Sequence, residues 1–132
     1  MAASPVLVDS SWYITVGKKG GDPLGLLESV AEARDVATCG IVRCEVARSV
    51  RNPKALRVFQ AAWEVMMYVP TDNKLWQDVE STVWQIDRTL GGALPLADIV
   101  IACCARRIGA VVLTFDRHFQ KIPGIVAVDR IV

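Results

Sequence analysis

Residues 94–116 run LPLADIVIACCARRIGAVVLTFD. A helix-length apolar segment from Leu96 to Ile108 stops at Gly109, a residue suited to the end of a helix. The apolar run Ala110 to Phe115 follows at once and reads as a strand. Two acids punctuate this unit: Asp98 in the first turn of the helix and Asp116 directly after the strand.

Working outward, the same alternation recurs. Pro5 to Val8 is a short continuous apolar run that ends in Asp9, Ser10 and Ser11, the pattern of a strand buried on both faces. After a loop from Gly17 to Gly21, Asp22 and Pro23 open a helix to about Arg34. Val36 to Cys39 is a second strand, and Gly40 to Val50 a helix. Asn52 and Pro53 cap the next helix, with Leu56, Phe59, Trp63, Met66 and Met67 on one face, and Tyr68 to Pro70 reads as a third strand. Asp72 caps a long helix in which Trp76, Val79, Val83, Ile86 and Leu90 recur at intervals of three and four up to Gly91 and Gly92. Beyond Asp116, a helical turn near Arg117 to Lys121 precedes a last strand near Ile125 to Val128. Short Val/Ile/Leu strands alternating with helices predict an α/β protein whose parallel sheet is covered on both faces. Such sheets bind ligands beyond the carboxyl ends of their strands, where strand order reverses.

A length of 132 residues predicts one domain, 1–132. With 52% hydrophobic and 22% charged residues, the chain is far from the composition of disorder. Its longest uninterrupted apolar run, Ile99 to Ala105, is seven residues, against about 20 for a membrane-spanning helix. No cationic stretch precedes Pro5 to Val8, so no secretory signal is read and the expected address is the cytoplasm. The net charge of +1 excludes a general polyanion coat. Any polyanion is met locally, and Ile41 to Arg57 is the one strongly basic stretch: Arg43, Arg48, Arg51, Lys54 and Arg57 against Glu45. The four cysteines, Cys39, Cys44, Cys103 and Cys104, show no C-x-x-C spacing and read as buried, reduced thiols.

Asp9 and Asp116 each end an apolar strand and so share one edge of the sheet. Asp98 and Glu45 are likewise embedded in apolar sequence. Acids in such settings are costly to bury without a cation or hydrogen bonds. Capping and chain turning are the plain alternatives for any one of them. Convergence of all four would bring repulsion of about 4 kcal/mol per pair at about 4 Å and an effective dielectric near 20. A divalent cation offsets it, and all-oxygen ligation points to Mg²⁺ or Mn²⁺. That chemistry is metal-assisted phosphoryl hydrolysis. With His118 the only histidine, and no G-x-S-x-G, G-x-G-x-x-G or Walker A run, serine catalysis and a nucleotide cradle are disfavoured.

Val6-Leu7-Val8-Asp9-Ser10-Ser11, Glu45, Leu94-Pro95-Leu96-Ala97-Asp98-Ile99-Val100-Ile101-Ala102 and Leu113-Thr114-Phe115-Asp116-Arg117-His118-Phe119 stand in an order that resembles the PIN domain. The size is similar to the VapC-type ribonucleases of toxin-antitoxin pairs. The resemblance implies a three-layer α/β/α fold with a central, mainly parallel sheet of about five short strands. It implies that Asp9, Glu45, Asp98 and Asp116 form an acidic quartet for Mg²⁺ or Mn²⁺, with Thr114 as a supporting hydroxyl and Ser10 assisting. Asp9, Asp98 and Asp116 are the expected direct ligands; Glu45 binds through water or orients the nucleophile. Where many relatives carry a further acid two residues after the fourth, this chain has His118, which bears on a second metal site.

The expected function is metal-dependent endoribonuclease, with Arg48 and His118 as candidate contacts to RNA phosphate or substrate. An antitoxin and a homodimer are the partners the resemblance implies. Trp84, Val58 and Val65 fall off the apolar stripes of their helices and supply surface for them. The alternative is a catalytically inactive PIN-like RNA-binding or scaffold module. A phosphoacceptor receiver domain is a weaker rival, because no acidic pair follows the first half of the sheet and no lysine ends a late strand.

Overall fold

The computed structural model describes residues 3–131. Strands β1 (Val6–Val8), β2 (Val36–Cys39), β3 (Met67–Val69), β4 (Val111–Leu113) and β5 (Ala127–Val128) form one sheet in the order β3-β2-β1-β4-β5. Every neighbouring pair is parallel. Helices α1 (Ser10–Lys18) and α2 (Pro23–Ala31) connect β1 to β2, and α3 (Gly40–Ser49) and α4 (Pro53–Glu64) connect β2 to β3. The return from β3 to β4 runs through α5 (Asn73–Leu90) and α6 (Leu96–Ile108), and a 3-10 turn, Arg117–Lys121, leads to β5.

Val6, Leu7 and Val8 are all fully buried. Because successive strand side chains point to opposite faces, both faces of β1 are covered, and the domain is a three-layer α/β/α sandwich. From β1 the chain builds β2 and β3 to one side, then crosses back to place β4 and β5 on the other. Strand order therefore reverses beside β1, which opens a crevice beyond the carboxyl ends of β1 and β4. The register Val8 to Leu113 sets Asp9 level with Thr114 across that crevice.

Helix α6 is buried on every side from Asp98 to Ala105, as expected of a helix without a polar face. Truncating one of its large side chains, Ile101, to alanine costs about 2–5 kcal/mol by the cavity it leaves. Gly109 ends the helix at φ +65°, a conformation glycine adopts without a side-chain clash. The last turn is tied down by Arg107, whose guanidinium grips both carboxylate oxygens of Asp72 at 2.9 and 2.8 Å.

Several sequence expectations are corrected in detail. Ser10–Lys18 is a helix, absent from the sequence reading. The helix expected to reach about Arg34 ends at Ala31. Met67 belongs to β3 rather than to the face of α4. The buried side of α5 is Leu75, Val79, Thr82 and Ile86, while Trp76 and Leu90 are exposed. Cys44 is exposed, unlike the other three thiols, because it falls on the outward side of α3 between buried Val42 and Val46.

Candidate active site

Asp9 directly follows β1 and is the N-cap of α1, accepting from the Ser11 amide. Only 2% of it is exposed. Its Oδ2 accepts three hydrogen bonds: from the Ser11 amide at 3.3 Å, the Ser11 hydroxyl at 2.6 Å and the Thr114 hydroxyl at 2.8 Å. Each hydroxyl has one proton, so the 3.0 Å approach of Ser11 Oγ to Thr114 Oγ1 is a shared focus on Asp9 and no further bond. The two oxygens also accept amides, Phe115 N on Ser11 at 3.0 Å and Asp116 N on Thr114 at 2.9 Å. The turn after β4 is thus bolted to the end of β1. Oδ1 of Asp9 carries only a long 3.5 Å contact from Ser10 Oγ, which leaves it free to ligate.

Asp98 enters from the other side, in the first turn of α6, with 7% exposure. Asp116 caps the 3-10 turn by accepting the His118 amide at 2.9 Å. That turn swings the His118 ring inward. Its Nδ1 lies 2.9 Å from Asp116 Oδ1 and 3.1 Å from Asp98 Oδ2. Asp98, Asp116 and His118 offer ligand atoms all within 4.8 Å of one another.

Burial is the main force pushing the Asp98 carboxyl up to about 7, helped by its hydrogen bond with Asp116 and by the charges of Asp116 and Asp9; His118 opposes the rise. Asp116 moves the other way. Burial acts against it, but the His118 amide, the hydrogen bond from Asp98 and the His118 charge together hold it below the usual carboxylate range. Each carboxyl feels the other, so their titration belongs to the pair. Two carboxyl groups crowded together at a buried point favour a cation between them. Two carboxylates and an imidazole within 4.8 Å of one another, with the Asp9 charge acting on one of them, fit a divalent metal ion.

The remaining sequence candidates sit around this centre. Glu45 projects from α3 and accepts the Ser10 hydroxyl at 2.9 Å; the single Ser10 proton is spent there, and its oxygen only approaches Asp9 Oδ1 at 3.5 Å. Glu45 and Asp9 both lie outside the tight cluster of Asp98, Asp116 and His118. Arg48 is exposed one turn further along α3. Arg43 of the basic stretch is engaged elsewhere, paired with Glu64 at 3.2 Å and stacked over Trp63. Ser11 is the residue the sequence reading missed. The signal for it was the N-cap pattern itself, an acid followed two residues later by a hydroxyl at the start of a helix.

The family model of the PIN domain matches residues 6–125. The DNA-bound VapBC structure from Salmonella typhimurium is similar at a TM-score of 0.75 and 21% identity, covering 96% of this chain and 98% of that one. VapBC-1 from nontypeable Haemophilus influenzae gives 0.72 and 19% over 94% and 96%. VapC20 of Mycobacterium tuberculosis, a Sarcin-Ricin loop cleaving toxin, gives 0.65 and 16% over 91% and 96%. Among curated proteins no sequence matches.

Proposed function

The chain belongs to the PIN domain family, and from that membership we propose that it is a Mg²⁺- or Mn²⁺-dependent endoribonuclease, the toxin of a toxin-antitoxin pair. The observation that carries the reading is the convergence of Asp98 and Asp116 at one point, close enough to Asp9 for its charge to act on Asp98. Asp9, Asp98 and Asp116 are the direct ligands. Glu45 acts through water or orients the nucleophile, a role suited to its place one hydroxyl away from Asp9. When bound, the ion supplies Lewis acidity at the phosphate and lowers the pKa of a water.

The residues around the ligands fix their geometry. Thr114 and Ser11 hold Asp9 Oδ2 and leave Oδ1 with only the long approach of Ser10, and the amides they accept hold Phe115 and Asp116 in place. Exposed Arg48 is the phosphate contact on the α3 side. A water attacking phosphorus in line with the departing 3′ oxygen leaves 5′-phosphate and 3′-hydroxyl ends.

The RNA substrate draws support from the Sarcin-Ricin loop cleaving relative, and the antitoxin from the VapBC structures. Apolar surface for protein partners is present. A groove of about 580 Å³ between α2 and α4 is lined by Leu24, Val58, Val65 and Met66, and Trp84 stands 62% exposed on α5. Homodimerisation uses such surface. Among the described residues no helix is long and apolar enough to cross a membrane; the proposed place of action is the cytoplasm.

The test is incubation of purified protein with structured RNA, with chelator and then with Mn²⁺ restored. Cleavage that stops with chelator, returns with Mn²⁺ and leaves 5′-phosphates is expected. Metal-independent cleavage or cyclic phosphate ends would refute the mechanism, and RNA binding without cleavage would establish the scaffold module instead.

A further inference from the structure

The geometry points to His118 as a nitrogen ligand of the metal ion, which turns an all-oxygen centre into a mixed carboxylate and imidazole centre and biases it toward Mn²⁺ over Mg²⁺. The inference rests on the metal centre proposed above and assigns His118 a direct place in it.

Three observations carry it. First, the spacing is that of ligands around a small ion. Octahedral ligands about 2.1 Å from a metal have neighbouring donor atoms about 3.0 Å apart. His118 Nδ1 lies 2.9 Å from Asp116 Oδ1 and 3.1 Å from Asp98 Oδ2. Second, the ring is held in that orientation from its own backbone. The His118 amide donates to the same Asp116 oxygen that Nδ1 approaches, so the 3-10 turn presents amide and ring together. Third, the ring keeps a solvent-facing share, with 43% of the side chain exposed. With an ion between the carboxylates, the neutral ring would carry its hydrogen on Nε2 and turn its Nδ1 lone pair to the metal.

The consequence for metal choice follows from donor type. Mg²⁺ is a hard ion that favours oxygen and surrenders water reluctantly, whereas imidazole suits later divalent ions, with Mn²⁺ at the permissive start of that series. A chain with an acid at this position would present only oxygen. This one does not.

The single histidine makes the test unambiguous. Tag-free protein is prepared with ordinary and with ring-¹⁵N histidine, loaded with Mn²⁺, and measured by pulsed electron paramagnetic resonance. A histidine nitrogen coupling that changes isotope with the label, and is lost in His118→Gln, is expected. Mn²⁺ that binds without any histidine coupling would overturn the inference and leave the metal centre standing. Mn²⁺ that does not bind at all would overturn both. In parallel, calorimetric titration with Mn²⁺ and with Mg²⁺ should show the Mn²⁺ preference shrinking by about tenfold in His118→Asp, and an unchanged preference would overturn the assigned selectivity.

Discussion

The Thr114 hydroxyl donates to Asp9 Oδ2 at 2.8 Å across 105 residues of sequence. It joins the ends of β1 and β4 and also accepts the Asp116 amide at 2.9 Å, so one side chain sets the position of two acids. Thr114→Val keeps the shape and removes both bonds. The expected outcome is a loss of about 1–3 kcal/mol in stability, from the buried groups left unpaired, with weaker Mn²⁺ binding; Thr114→Ser should restore most of both. Denaturant melts and metal titration check it, and a Thr114→Val protein with native metal affinity would deny the residue its positioning role.

Without metal, the Asp98 carboxyl keeps its proton up to about 7, whereas an unfolded aspartate releases it near about 3.9. The folded state binds the extra proton across that window, so stability falls as pH rises from about 4 to 7. Asp116, lowered by its surroundings, acts below that window: its contribution is present above the unfolded value and is lost as pH falls further. Metal-free Asp98→Asn should therefore show a flatter stability profile between about pH 4 and 7. Matching slopes for variant and wild type would contradict the buried Asp98 carboxyl with its raised pKa.

A bound ion relieves crowding that the metal-free protein must carry. At about 100 times its dissociation constant, Mn²⁺ should stabilise by about 2.7 kcal/mol, on the order of 10 °C in Tm. Asp9→Asn should melt no lower than wild type without metal, yet gain less from Mn²⁺. Equal Mn²⁺-induced shifts would show that Asp9 is no ligand.

Trp84 is 62% exposed, with the Arg88 guanidinium 4.6 Å from its ring centre. Trp84→Ala should change monomer stability by less than about 0.5 kcal/mol, as surface substitutions do, while weakening self-association or antitoxin binding. Sedimentation and antitoxin titration that leave both unchanged would remove α5 from the partner surface.

What the sequence made legible was whatever strong local patterning encodes. Val36–Cys39 and Leu96–Ile108 match their predicted bounds, because a continuous apolar run and a helix ended by glycine each leave little choice. Helix α1 was hidden because its cap is the functional acid Asp9 and its buried residues, Ser10, Trp12 and Tyr13, make no repeating stripe. In α5 the inward position of Thr82 misled the apolar count. Its hydroxyl is satisfied by the Asp78 carbonyl at 2.8 Å, which lets a polar residue sit in the core. The acids were visible as breaks in apolar runs. Which way the His118 ring turns was not, since a 3-10 turn of five residues sets it.

The most direct measurement is the rate at which purified Asp98→Asn cleaves structured RNA in saturating Mn²⁺, beside Asp87→Asn, an exposed acid of α5. Removing one charge from the metal centre without changing shape should lower the rate by about a hundredfold or more, while Asp87→Asn cleaves like wild type. Equal rates for Asp98→Asn and wild type would contradict the assignment of this centre as the site of hydrolysis.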